Sequence, residues 1–504
     1  MKALQNFPLH LVGMGVLLVS SQTLRAQPFT QVGGDINGEL PWDVFGYCVS
    51  LSGDGSRLAI GAPGNSFNGY EAGHVRVYEL AGGQWMQLGA DIDGQGDGDW
   101  SGYAVSLSLD GTRLAIGSPL NDEQGPSSGQ VRIYEEVAGG WVQLGAGIYG
   151  EAPGDWFGSS VSLSQQGDRA FIGAMKNDGS GLDAGHIRVY QFLGGIWTQL
   201  GGDIDGEAAG DYSGSAISCS ADGTAIAIGA PGNSGGGPQA GHVRVYAEDG
   251  GVWAQLGVDI DGEVAGDFSG RSVSLNANGG RLAVGSPKNS GNEFDAGHVR
   301  LFDFVGGMWI QVGSDLDGTV AEEESGLAVS LSADGTRVAI GSPMHDGFGG
   351  SVGAVRIYQD VNGVWEQVGP TIYGEADDDW LGWSVSLSAQ GNRIAFGATG
   401  NNDNGSNAGQ VQVYDVGTFI GFPENVDIQL PLVVPIPASE VLYIEVPDQT
   451  EFHLYNVDGQ QVLTQRLSGG REAIDVSALP PGAYVAELRT RDWRPSRFAK
   501  VLVE

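Results

Sequence analysis

The sequence predicts an all-β protein: a seven-bladed β-propeller of four-stranded blades, followed by a small C-terminal β-sandwich. Three observations predict it. A motif recurs at a constant step of 56 residues. Each copy holds four strand-like segments separated by glycine turns. The repeat is out of phase with the chain ends, as a closed ring requires.

Residues 1–26 read as a secretory signal peptide. Lys2 opens a short basic region, Leu11 to Val19 is apolar, and Leu24-Arg25-Ala26 precedes Gln27. That apolar run is too short to cross a bilayer, and no later run is long enough, so no transmembrane segment is expected.

The propeller is expected over residues 27–416. Asp35-Ile36-Asn37-Gly38 recurs near Asp91, Gly147, Asp203, Asp259, Asp315 and Thr371. Gly61-Ala62-Pro63 recurs at Gly117, Gly173, Gly229, Gly285, Gly341 and Gly397, and Trp85 recurs at Trp141, Trp197, Trp253, Trp309 and Trp365. In the first copy the strand-like segments are Cys48 to Ser52, Arg57 to Ala62, His74 to Leu80 and Trp85 to Ile92, each alternating or β-branched. A glycine such as Gly55 or Gly111 divides the first two, and the Asp-Gly pairs supply the positive φ of a tight turn. The last copy ends at Val411 to Tyr414, with Gly421 where tryptophan is due. The missing strand is Phe29-Thr30-Gln31-Val32-Gly33, at the other end of the propeller, so the N-terminal strand closes the last blade and hides its open edge. Cys48 and Cys219 fall in the innermost strands of the first and fourth units, too far apart to bridge, and are expected free.

Composition narrows the function. Gly is 86 of 504 residues, yet no Gly-X-Y triplet runs through the chain, so collagen is excluded. Asp and Glu number 61 against 24 Lys and Arg, a net charge of −37, which repels a phosphate backbone and excludes nucleic acid as a partner.

The blade core Phe45-Gly46-Tyr47-Cys48-Val49, Leu58-Ala59-Ile60-Gly61-Ala62-Pro63 and Gly73-His74-Val75-Arg76-Val77-Tyr78 resembles the FG-GAP repeat of integrin α-chain propellers and of many secreted bacterial proteins. The resemblance implies the propeller fold and a cell-surface or adhesion setting. Integrin-type units often carry a calcium loop between their first two strands. Here that turn is only Ser52-Gly53-Asp54-Gly55-Ser56, whose single carboxylate cannot supply six to eight oxygens, so no calcium is carried over. Residues 417–424 read as a linker and 425–504 as a second domain. Val434-Pro435-Ile436-Pro437, Leu454-Tyr455-Asn456-Val457-Asp458-Gly459 and Ile474-Asp475-Val476-Ser477 through Pro481-Gly482 resemble the type A C-terminal sorting domain of the type IX secretion system of Bacteroidota. That implies handling by the type IX machinery and a secreted or cell-surface protein.

No nucleophile–base set, phosphate loop or metal-ligand cluster stands out in the sequence, so neither catalytic residues, a metal nor a cofactor is expected. Two loops of every blade share one face. One carries an acid in each copy: Asp43, Asp99, Asp155, Asp211, Asp267, Glu323 and Asp379. An aromatic follows it at Trp100, Trp156, Tyr212, Phe268 and Trp380. The other loop carries Asn65, Asn121, Asn177, Asn233, Asn289 and Asn401, with His345 in the sixth copy. Aromatic planes beside carboxylates and amides suit a glycan-binding face. Acids and amides that cap turns, with aromatics packed between blades, produce the same pattern. His74, His186, His242 and His298 read as structural, and the recurring Arg76, Arg132, Arg188, Arg244, Arg300 and Arg356 as stems covering apolar surface, paired to acids. The expected function is a non-catalytic, exported propeller binding glycan or protein. The alternatives are a polysaccharide hydrolase or lyase using two of these carboxylates, and a structural surface coat.

Overall fold

The computed structural model describes residues 29–346, 350–417, 441–446, 450–455, 461–468, 470–480, 482–489 and 497–503. The signal-peptide reading and nearly all of the 417–424 linker lie outside these. The chain divides into two compact units, Met1–Phe419 and Ile420–Glu504.

The first unit is the seven-bladed propeller. In blade one, Cys48–Leu51 pairs with Arg57–Ala62, which pairs with His74–Ala81, all antiparallel. The outer strand is split. Gln84–Gln87 and Ile92–Asp93 pair with opposite ends of His74–Ala81, where the sequence reads as one segment. Gly89 causes the break: its φ is +81°, and a Cβ there would stand 3.1 Å from Cδ1 of Trp141 in the next blade. The fourth strand bends away to seat its neighbour's tryptophan. The second and third strands are buried on both faces because each blade is sandwiched between two others, which explains continuous runs such as Leu58-Ala59-Ile60, all 0% exposed.

Three sets of bonds run around the propeller. At the turns between the first two strands, the backbone N–H of Gly53 donates to Leu109 O, Leu109 to Gln165, Gln165 to Ala221, Ala221 to Ala277, Ala277 to Ala333, Ala333 to Ala389, and Ala389 back to Gly53, all at 2.7–2.9 Å. Along the inner strands a serine hydroxyl accepts from the next blade, as Ser50 Oγ does from Leu107 N at 3.0 Å and Ser386 Oγ from Leu51 N at 3.0 Å. At the rim, six indoles donate to the preceding blade's outer-strand carbonyl, from Trp85 to Val32 O at 3.0 Å through to Trp365 to Val312 O at 3.1 Å. The first two sets close the circle. The rim set does not, because Phe29 takes the seventh tryptophan position and has no N–H to donate.

The closure predicted from the repeat phase is present: Thr30 pairs with Asp415 and Gln31 with Tyr414. Glycine at position 61 is a steric requirement, since a Cβ there would stand 2.0 Å from Gly102 O of the adjacent blade. Cys48 and Cys219 are free, and burial pushes both thiols up to about 12.

In the second unit, Val441–Val446 pairs with Gly470–Asp475, and a separate antiparallel sheet runs in the order Gln461–Leu467, Thr450–Tyr455, Gly482–Arg489, Arg497–Val503. Phe452, Leu454 and Ile474, each 0% exposed, belong to its core.

Candidate functional site

The acids of the candidate face are not displayed to solvent. Asp43, Asp99, Asp155, Asp211, Asp267, Glu323 and Asp379 are all at most 3% exposed. Asp99 Oδ2 accepts the backbone N–H groups of Gln95 and Gly96 and the Asn121 amide, and Asp43 is held in the same way by Glu39, Leu40 and Asn65. Asn121 Oδ1 in turn accepts from Glu123 N, so acid and amide together pin two loops. Burial raises Asp43 and Asp379 above the usual carboxylate value, against the opposing effect of those hydrogen bonds. The expected ring of surface carboxylates is therefore a ring of internal loop clamps, because a loop with many inward N–H groups needs an acceptor inside it.

Blade six departs from this arrangement for a reason. Its Arg356 lacks the acids that neighbour Arg76, Arg188, Arg244 and Arg300, since Thr319 and Thr371 stand in their places. Glu323, one methylene longer than aspartate, reaches Arg356 Nη1 at 2.8 Å and Nη2 at 3.1 Å, with His345 Nδ1 at 3.4 Å. Glu322 is exposed, and Glu324 pairs with Lys288.

The aromatics that follow the acids stand in left-handed backbone, with φ of 53–56° at Trp100, Trp156, Tyr212, Phe268 and Trp380. All five are half-buried. Trp156 is capped by Lys176 Nζ, 3.8 Å from the ring centroid. Trp100 and Trp380 instead join three aromatics that the sequence reading missed. Trp100 stacks on Tyr103 at 6.1 Å, Tyr103 meets Tyr47 at 4.9 Å, Tyr47 meets Trp383 at 5.7 Å, and Trp383 meets Trp380 at 6.2 Å.

Tyr47 and Tyr103 directly precede inner strands of blades one and two, and Trp383 occupies the equivalent position in blade seven. Inner strands line the central channel of a propeller, so the five rings form one surface at its mouth. At the equivalent position the other blades carry Ser159, Ser215, Arg271 and Leu327. The Tyr47 hydroxyl is pushed well above its usual value by burial and then by Tyr103. Arg271 of blade five acts on it in the opposite sense. Arg271 is exposed, and its side chain forms no ion pair among the described residues. The signal was available in the sequence: read down the repeats, this one position runs Tyr, Tyr, Ser, Ser, Arg, Leu, Trp while its neighbours barely change.

Residues 40–78 match the FG-GAP repeat family, and residues 432–503 match the secretion system C-terminal sorting domain. The chain thus carries an FG-GAP repeat in its propeller and a secretion system C-terminal sorting domain. The sorting domain indicates type IX secretion, and so a secreted or cell-surface protein. No curated protein matches the chain. Among solved structures, the FG-GAP propeller is similar to an oligogalacturonate lyase from Vibrio parahaemolyticus, at 10% identity over 79% of this chain and 95% of that one, with a TM-score of 0.45. It is also similar to an acylaminoacyl peptidase from Pyrococcus horikoshii, at 10% identity over 82% and 59%, with a TM-score of 0.43. A third is the β-propeller domain of the Trilobed protease from Pyrococcus furiosus, at 10% identity over 69% and 90%, with a TM-score of 0.40. These likenesses carry no activity to this chain.

Proposed function

We propose that this protein is an exported, non-catalytic binding module that holds a glycan at the mouth of the propeller channel. The continuous aromatic surface of Trp100, Tyr103, Tyr47, Trp383 and Trp380 carries the reading. Half-buried rings held by their neighbours offer apolar area at little entropic cost, and sugar rings present C–H faces that stack on such surfaces. Arg271, exposed in blade five, supplies a charged donor group. The asymmetry matters, because a feature repeated in all seven blades is more simply explained as architecture. The acids that the sequence offered for acid–base work are buried and engaged, which supports binding over catalysis.

The test is native affinity electrophoresis of the full chain through gels cast with neutral and acidic polysaccharides, comparing the natural sequence with Tyr103→Ala and Trp383→Ala. Retardation in at least one polymer, lost in both variants at unchanged thermal stability, is the expected result. Retardation that survives both substitutions places the ligand elsewhere, and shortening of the polymer overturns the non-catalytic reading.

A further inference from the structure

We propose that three blade interfaces, those at His186, His242 and His298, each bind a divalent transition-metal cation such as Zn²⁺. Each histidine begins the third strand of its blade and is paired across the ladder with an aspartate of the outer strand: His186 with Asp205, His242 with Asp261, His298 with Asp317. A second aspartate two residues earlier, and a glutamate from the preceding blade's loop, complete the sets. The resulting groups are Glu151, His186 and Asp203; Glu207, His242 and Asp259; and Glu263, His298 and Asp315, with ligand atoms all within 4.8 Å of one another.

Three independent observations point to a missing cation. The first is the state of the imidazoles. The three side chains are at most 2% exposed. Each Nδ1 faces a carboxylate at 3.7–3.8 Å, beyond hydrogen-bond reach. In blades three and five the second aspartate stands 4.0 Å from the same nitrogen. Ligand atoms around a small cation at bonds of about 2.0–2.2 Å are about 3.0–3.6 Å apart, so slight closure of half-exposed aspartates would complete a site.

The second observation is charge. In blade three, Glu151, Asp203 and Asp205 oppose only Arg188, leaving two negative charges for a divalent ion to neutralise. The arginines do not occupy the aspartate pairs. Arg188, Arg244 and Arg300 lie nearest the glutamate, at 3.3–3.7 Å, and donate to backbone carbonyls of the preceding blade. Blade one differs, since Arg76 clamps Asp91 through two bonds of 2.8–3.0 Å and takes the place of an ion there.

The third lies in the repeat itself. In two blades histidine and the three acids are absent together, while blade seven has Gln410 for the histidine and keeps Glu375 and Asp35, which Gln412 engages. Blade two has Gln95, Gln130, Gly147 and Tyr149 at the four positions, and blade six has Thr319, Ala354, Thr371 and Tyr373. The arginine persists in both, as Arg132 and Arg356, so in these two blades it does not require the histidine and its acids. One imidazole with two or three carboxylates is a donor set for Zn²⁺ or a similar first-row ion, whereas calcium takes oxygen alone.

The experiment counts metal. The full chain is stripped with chelator, dialysed against micromolar free Zn²⁺ at neutral pH, and its zinc measured by mass spectrometry. The variants are His186→Gln, His242→Gln, His298→Gln, their triple combination, and His74→Gln. Glutamine already occupies this position at Gln130 and Gln410, so the variants retain a side chain the fold accepts. The expected result is three more zinc ions in the natural chain than in the triple variant, one fewer for each single substitution, and no change for His74→Gln. Calcium is expected not to reproduce the pattern. An equal zinc count in the natural chain and a folded triple variant overturns the proposal.

Discussion

Acidification tests the buried histidines most directly. His74 and His298 are each 1% exposed, and burial, followed by the adjacent Arg76 or Arg300, lowers their titration from 6.5 to about 4. Above pH 6.5 both folded and unfolded chains carry neutral imidazoles, and nothing is gained or lost. Between pH 6.5 and about 4 the unfolded chain takes up a proton that the folded chain refuses, so stability declines as pH falls. Each pH step of one across that window costs about 1.4 kcal/mol, so the accumulated loss approaches about 3 kcal/mol for each histidine near pH 4. The facing acids do not all push the same way. Burial holds Asp93, Asp317 and Glu263 above their usual values, which adds stability on acidification, while the hydrogen bonds from Arg76 and Gln87 overcome burial to hold Asp91 low, which removes it. A comparison with His74→Gln and His298→Gln isolates the imidazole contribution, because any packing change is a constant offset in pH. Urea denaturation of the metal-stripped chain at a series of pH values from 7.5 downward gives the result. The double variant is expected to gain on the natural chain by several kcal/mol between pH 7 and pH 4. Parallel stability curves would refute the claim that these rings stay neutral in the fold.

Two further outcomes concern the ring itself. Phe29→Trp supplies the missing seventh indole, whose natural acceptor is Val368 O, and is expected to stabilise the propeller by about 1 kcal/mol in chemical denaturation, the net worth of one such bond. A neutral or negative effect would show that the closing position differs from the other six. Glu323→Ala leaves Arg356, 3% exposed, without its acid, and is expected to cost about 3–5 kcal/mol, read as a lowered thermal midpoint. A loss no larger than that of an exposed ion pair would count against a buried Glu323–Arg356 bond.

The architecture was legible because periodicity survives every local ambiguity. The constant spacing of Gly61, Trp85 and their copies specifies equal units, and Phe29 standing where Gly421 fails specifies how the circle closes. The split of the outer strand was not legible, since Gly89 breaks the ladder only because Trp141 of the next blade needs the space, an inter-blade fact. The same reason hid the fate of the acids. A recurring aspartate before an aromatic looks alike whether it faces water or, as Asp99 does, two inward N–H groups and an amide.

What distinguishes site from scaffold in this protein is the phase of variation within the repeat. Positions constrained by the ring, such as Gly61 and its copies, cannot change without a Cβ meeting a neighbour's backbone at 1.9–2.2 Å. Positions facing the channel mouth carry no such constraint, so Tyr47, Tyr103, Trp383 and Arg271 are free to differ, as the proposed ligand site requires. The histidine clusters form an intermediate class. They are present in four blades and replaced throughout in two others, while blade seven keeps Glu375 and Asp35 beside Gln410. Repetition thus gives an internal comparison within one chain: constancy marks the ring, single-position variety marks the mouth, and joint presence or absence marks groups acting together. Substituting single residues of each class and reading stability, polysaccharide retardation and zinc content in parallel at neutral pH separates the three: ring variants lower stability, mouth variants lower retardation in a folded chain, and histidine variants lower zinc content in a folded chain.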